Sequence, residues 1–229
     1  MDQQNKRKKK AHTHFNITLS DEQKEVKEVI LKSEVSVLTG DAGTGKSLLG
    51  AQIVLDLLYS GTLSRVIISR PMVEAGEKLG TLPGDIDEKL SPYTSAIYDN
   101  LNRLKSPEEI QKFIDDGKII VLPVGVMRGF NLMDSVMIVE EAQNLTFKQV
   151  EMILTRICEG AKIILIGDSD QCDLKDTRDS GFPFIKTIAG IEGYAVLTLT
   201  ENHRSKIVKL ILEKFKAEKE KRAIQNGTK

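Results

Sequence analysis

Residues 40–47 read Gly40-Asp41-Ala42-Gly43-Thr44-Gly45-Lys46-Ser47, a G-x-x-x-x-G-K-[ST] pattern set between an apolar run at 35–39 and an apolar-periodic segment. Glycines at 43 and 45 let successive backbone N–H groups turn inward on phosphate oxygens, where a Cβ would crowd them. The N-terminus of a following helix adds partial positive charge at the same point. Lys46 has the reach for β- and γ-phosphates, and the Ser47 hydroxyl suits Mg²⁺. The candidate nucleotide cradle is therefore Gly40, Asp41, Ala42, Gly43, Thr44, Gly45, Lys46 and Ser47, with Leu48 in the first helical turn. A second group of candidates is acidic. Glu140 and Glu141 directly follow the apolar run 136–139; the first carboxylate would hold Mg²⁺ through water and the second would orient or deprotonate an attacking water. Two acids also suit the start of a helix, but the end of a buried strand favours a site. Gln171, closing the loop 167–171, could hydrogen-bond a γ-phosphate or that water. Arg204, at the start of the last helical pattern, is the candidate for neutralising charge on a transferred phosphoryl group, with Arg70 and Arg128 as competitors. His12, His14 and His203 lack companions at metal-ligand spacing and read as structural or solvated.

These groups need elements to hold them, and the hydrophobic pattern supplies the elements. Ser20 with Gln23 three residues on is a capping-box start, followed by Val26, Val29 and Ile30 at helical spacing. The pattern then predicts a helix from 46 to 59 stopped at Ser60-Gly61, and a strand at 66–69. Residues 70–105, punctuated by Pro71, Gly76, Gly80, Pro83-Gly84 and Pro92, are expected to be irregular. Beyond them come a helix at 107–116, a strand at 119–122, a connector at 125–131, a strand at 136–139 and a helix at 147–157. Strands at 162–166 and 194–199 and an amphipathic helix at 206–220 complete the series. Alternating strands and helices imply an α/β fold with a parallel sheet covered on both faces. In such sheets ligands bind outside the carboxyl ends of the strands, which is where the loop, Ser69-Arg70, Glu140-Glu141 and 168–171 all fall.

A chain of 229 residues suits one large domain. The expected division is a basic arm at 1–17, one domain at 18–220 and a frayed tail at 221–229. The net charge is zero, yet Lys6, Arg7, Lys8, Lys9 and Lys10 stand against Asp2 in the first ten residues, a local +4 that leaves 0 − 4 = −4 for the rest. Such an arm suits contact with a phosphate backbone or simple solubilisation. Cys158 and Cys172 make no disulfide framework and fit a reduced compartment; Cys158 is expected within the packing of a helix. With no apolar leader and no long apolar run, a cytoplasmic location and no membrane partner are expected.

The segment Ser69-Arg70-Pro71-Met72-Val73-Glu74-Ala75-Gly76-Glu77-Lys78-Leu79-Gly80, with Leu82-Pro83-Gly84-Asp85, resembles the signature of PhoH-family ATPases. Pro92-Tyr93, Ile97-Tyr98-Asp99, Met127-Arg128-Gly129, Glu141-Ala142-Gln143-Asn144 and Leu154-Thr155-Arg156 continue the likeness over about residues 20–215. The resemblance implies a three-layer RecA-like P-loop NTPase core with a mainly parallel sheet, related to superfamily-one helicases. It further implies ATP and Mg²⁺ as cofactors, a link to RNA or single-stranded nucleic acid, and a homo-oligomeric ring, possibly a hexamer. In such relatives a Gln upstream of the loop reads adenine, which makes Gln23 the base-specificity candidate beside its capping role. Arg70, Lys78 and Arg128 are the nucleic-acid candidates. Two departures stand out. The family usually has Asp at the position of Glu140, and the extra methylene moves the carboxylate by about 1.5 Å. Glu201-Asn202-His203-Arg204-Ser205 is looser than the family's last motif, though similar to a helicase pattern in which Arg begins a helix. With one core only, the charge-neutralising Arg is open to supply by a neighbouring subunit. The alternative expectation is an ATP-gated interaction protein without motor activity. Residues 70–105 lack the arginines of a kinase lid, and no Asn-Lys-x-Asp guanine reader is present.

Overall fold

The computed structural model describes residues 14–72, 96–188 and 190–227. Six strands, β1 (Val35–Gly40), β2 (Arg65–Ser69), β3 (Ile119–Val121), β4 (Ser135–Val139), β5 (Lys162–Ile166) and β6 (Tyr194–Leu199), form one sheet in the order β3-β2-β4-β5-β1-β6. Every pairing is parallel. Helices α1 (Asp21–Lys32), α2 (Lys46–Tyr59), α4 (Pro107–Asp115), α5 (Phe147–Leu154), α6 (Phe182–Thr187) and α7 (Lys206–Gly227) connect or follow the strands, with α3 at residues 96–104. This is the three-layer α/β architecture with a parallel sheet expected from the sequence.

The pleat sorts consecutive strand residues into two cores. Leu38, Ile68, Ile138 and Ile164 pack under α1, α2, α3 and α4. Their neighbours Val37, Ile67, Met137 and Ile163 pack under α5 and α6. Strands buried on both faces read as unbroken apolar runs, and all five residues of β4 are buried. Gly50 lets α2 settle closely on the sheet, since a Cβ there would lie 2.5 Å from Ile166 Cδ1 and 2.6 Å from Ile138 Cδ1.

The start of α1 carries the expected capping box between Ser20 and Gln23, and α2 ends at Ser60 with Gly61 at φ +63°. Four expectations need correction. Residues 96–104, within the span expected to be irregular, are helical because Ile97, Leu101 and Leu104 line one buried stripe. The helix α6 arose in a stretch that carried no expected element; Pro183 stands in its first turn and Phe182 and Ile185 are buried. The helix α5 stops at Leu154, so Cys158 lies beyond it, half-buried in a turn whose N–H donates to Leu132 O. Finally, α7 runs on to Gly227 and leaves Ile207, Leu210, Ile211 and Phe215 exposed rather than packed. Phe15 and Ile17, at the end of the expected arm, pack against the core. The basic run 6–10, His12, Lys78 and the signature residues 73–95 lie outside the described residues.

Candidate active site

Parallel pairing aligns Gly40 with Leu199, Leu38 with Ile166, and Val139 with both Ser69 and Leu165. The residues that follow β1, β2, β4, β5 and β6 are thereby delivered to one edge of the sheet. There the residues after β1, β4, β5 and β6 surround a cleft of about 770 Å³ lined by Gln23, Gly43, Gly45, Lys46, Ser47, Glu141, Asp168, Gln171 and Arg204, among others. The strand β5 stands between the loop strand β1 and the acidic strand β4.

The loop has the backbone its glycines permit. Gly40, Gly43 and Gly45 sit at φ +145°, +96° and +82°. A Cβ on Gly40 would fall 2.4 Å from Leu199 O, one on Gly43 2.5 Å from Arg204 Cγ, and one on Gly45 2.6 Å from Gln23 Nε2. Lys46 Nζ donates to Gly40 O at 2.5 Å and to Asp41 O at 2.9 Å. Burial lowers the Lys46 pKa, and the charges of Asp168 and Glu141 oppose that shift. Thr44 closes the turn through its hydroxyl bond to Asp41 O.

Glu140 is 8% exposed. Burial raises its carboxyl above the usual range, the nearby Ser47 hydroxyl opposes this, and Glu141 adds repulsion. A buried carboxylate beside a loop hydroxyl leaves two hard oxygen donors together at the mouth of the phosphate cradle, which is chemistry that fits Mg²⁺. Glu141 adopts φ +52°, one of two non-glycine positive-φ residues among those described; such a backbone is strained by about 1–3 kcal/mol. The turn aims its carboxylate at Arg70, whose Nη2 lies 3.6 Å from Oε1, while Gln143 Nε2 donates to Oε2.

Gln143 is the organising residue that the sequence reading passed over. It is 1% exposed; its Nε2 also donates to Gln171 O at 3.1 Å, and its Oε1 accepts from Asp168 N at 3.0 Å. The end of β4 is thus tied to the end of β5. Gln171 lines the cleft, but its amide is turned onto Asp168 Oδ2 at 2.5 Å. Asp168 itself, 9% exposed, was visible as a strand-end acid and was grouped with the loop without a role of its own.

The segment after β6 returns to the loop. His203 N donates to Gly43 O at 2.9 Å, Asn202 Nδ2 to Ala42 O at 3.3 Å, and Arg204 N to Asn202 Oδ1 at 2.9 Å. The Arg204 side chain therefore lies on Gly43 of its own chain. His203, expected to be a bystander, lines the cleft with its Nε2 3.5 Å from Gln23 Nε2. Gln23 lines the cleft while filling its capping role: Oε1 accepts from Ser20 N in the capping box, and Nε2 donates to Thr44 O at 3.2 Å. Arg70 faces Glu141 and not an open surface, whereas Arg128 is exposed in the turn after β3 and is absent from the cleft lining. Asn100 and Arg103 of α3 also reach the cleft, a contribution hidden by the expectation of irregular chain there.

Among known proteins, the PhoH family (PhoH-like protein) matches over residues 17–216. A PhoH-like protein of Synechocystis is 40% identical over 196 residues, covering 84% of this chain and 60% of the relative. A PhoH-like protein of Bacillus subtilis is 38% identical over 179 residues, covering 77% and 56%. The chain thus spans well under two thirds of the length of these curated relatives. The crystal structure of Pif1 helicase from Candida albicans superposes with a TM-score of 0.45 at 16% identity, covering 86% of this chain and 43% of that one.

Proposed function

The chain belongs to the PhoH family of P-loop proteins, and on that footing we propose that it hydrolyses ATP with Mg²⁺ and couples turnover to RNA or single-stranded nucleic acid. The observation that carries the reading is the convergence of the phosphate loop, Glu141, Asp168, Gln171 and Arg204 on one cleft, with Glu140 buried at the end of β4, one strand removed from the loop strand. Ser47 and Glu140 would hold the metal, with Glu140 acting through water. Held there, Mg²⁺ would supply neutralisation of the nucleotide's phosphate charge. The chain's own groups divide the rest. Backbone N–H groups of 43–47 and the Lys46 ammonium bind the phosphates. Glu141, held from two sides by Arg70 and Gln143, accepts the proton of the attacking water and sets its line of approach. Arg204 offsets charge on the transferred phosphoryl group. Gln171, on its Asp168 hinge, senses the γ-phosphate, and Gln23 with His203 occupies the base end of the cleft.

The wider role rests on fewer observations. The exposed apolar residues of α7 support self-association into a homo-oligomer, which light scattering would detect as a mass above the 25.5 kDa of one chain. No helix among the described residues is long and apolar enough to cross a membrane. The deciding experiment is phosphate release with and without single-stranded RNA over a range of salt. Stimulation that fades with salt is expected; turnover indifferent to RNA would favour a nucleotide-gated interaction protein. Lys46→Ala should abolish turnover, and Glu141→Gln should bind ATP without hydrolysing it. Full turnover in Glu141→Gln would move the base to another residue.

A further inference from the structure

The candidate Arg204 has no anchor of its own in the sheet. It sits in residues 200–205, an irregular link between β6 and the largely exposed helix α7, yet its side chain lies in contact range of Gly43. Something must hold the link against the loop. Its bonds to the loop are His203 N to Gly43 O and Asn202 Nδ2 to Ala42 O. From the other side the link is gripped by one carboxylate. Glu22 Oε1 accepts from Thr200 N at 2.8 Å and from Thr200 Oγ1 at 2.7 Å, and Glu22 Oε2 accepts from Glu201 N at 3.0 Å. Three donors converging on one carboxylate fix both its position and its charged state; the Thr200 hydroxyl is the leading cause that holds its pKa below the usual value.

We propose that Glu22 is a positioning residue for Arg204: it clamps the start of the 200–205 link so that the guanidinium stays on the phosphate loop. The clamp's base is rigid. Glu22 occupies the first turn of α1, whose entry is locked by the Ser20–Gln23 capping box. The adjacent residue Gln23 reaches the loop directly through Thr44 O. Two neighbouring side chains of one helical turn thus hold the two partners of a single contact, Gln23 the loop and Glu22 the arginine-bearing link. The inference rests on the ATPase reading for the importance of Arg204, but the geometry of the clamp stands apart from it.

The test is a double-mutant cycle on kcat with Glu22→Ala, Arg204→Ala and the double variant, alongside affinity for a fluorescent mant-ATP analogue. Misplacing a charged group by about an ångström lowers turnover by about 10–100-fold, so Glu22→Ala should lose that much in kcat. Binding of mant-ATP should stay within about two-fold of the parent. The double variant should be no slower than Arg204→Ala alone, since Glu22 has nothing left to position. Losses that multiply, or parent-like turnover in Glu22→Ala, would overturn the proposal. Should Glu22→Ala fail to fold, Glu22→Gln keeps the shape but sets an amide N–H against Glu201 N–H, and the same cycle is run with it. Amide exchange provides a readout free of catalysis. Protection of the His203 N–H should drop about ten-fold or more in Glu22→Ala, and an unchanged His203 rate would likewise overturn the clamp. If the parent chain shows no ATP turnover, the ATPase reading fails, and the His203 exchange rate still decides the clamp.

Discussion

Gln143 shows how one buried side chain can determine the alignment of a site. Its amide group serves the Glu141 carboxylate, Gln171 O and Asp168 N at once, so its two ends join the ends of β4 and β5. In Gln143→Ala, Asp168 N loses its partner in a buried position, while Gln171 O, at the exposed lip of the cleft, loses one that water can replace. Each unsatisfied buried group costs about 1–3 kcal/mol, and a melting temperature lower by about 5–10 °C is expected by thermal scan. Gln143→Glu separates volume from donation: it retains an acceptor for Asp168 N but sets a carboxylate against Glu141. That variant should lose turnover by about ten-fold or more even where it melts near the parent, and normal kcat in it would deny Gln143 any hold on Glu141. The contrast also explains what could be read without coordinates. The phosphate loop was legible because its chemistry is local, eight consecutive residues whose backbone makes the cradle. Glu140 and Glu141 were legible because their place after an apolar run is local too. Gln143 and Glu22 were not, since their side-chain partners are up to 28 and 179 residues away in sequence and nothing in a helix-cap pattern announces a long-range contact.

At the scale of elements, all six strands appeared where the apolar runs lie; β4, buried on both faces, leaves the plainest signal, while the edge strands β3 and β6 are only partly buried. The helix α3 was missed although Ile97, Leu101 and Leu104 repeat at helical spacing; the turn residues before it, ending with Pro92, dominated the window. That helix belongs to the layer that braces α2. Within the layer, Tyr59 at the end of α2 packs edge-on against Phe113 of α4, with ring centroids 5.1 Å apart, and donates to Glu109 Oε1 at 3.1 Å. Burial first, and the Glu109 carboxylate second, push the Tyr59 pKa up to about 12; burial does the same for Tyr194, again to about 12. A phenol whose folded pKa exceeds its unfolded value of about 10 binds its proton more tightly in the native state. Its contribution is therefore complete below pH of about 10 and is lost as pH rises towards 12. Ultraviolet titration should show phenolate absorbance from these two tyrosines only in the upper part of that window, accompanied by loosening of α2 from α4. Tyr59→Phe should remove one such late step and cost about 0.5 kcal/mol at neutral pH, small because the bond is largely exposed to water. Ordinary ionisation of every tyrosine near pH of about 10 would contradict the assignment.

Taken as one molecule, the chain assembles the groups of its proposed chemistry without a second copy. The loop, Glu141, Gln171 and Arg204 line one cleft, Glu140 is buried directly before Glu141, and the arginine rests on the loop of its own chain. A ring, if these chains form one, would then serve to grip a strand or to couple subunits, and would not be required to complete the hydrolytic site. Mixing experiments distinguish the two designs. Lys46→Ala disables the loop and leaves Arg204 intact, whereas Arg204→Ala does the reverse. If the arginine acted across an interface, mixed assemblies would contain intact loops facing intact arginines, and an equal mixture would recover up to about a quarter of parent turnover through such heterologous contacts. With both groups in the same chain, every chain in the mixture lacks one of them. Turnover of the mixture should then equal the mean of the two variants measured alone, at any protein concentration and after time allowed for subunit exchange. Recovery above that mean, rising with concentration, would show that the arginine on Gly43 is not the one that works, and would return the second half of the site to a neighbouring subunit.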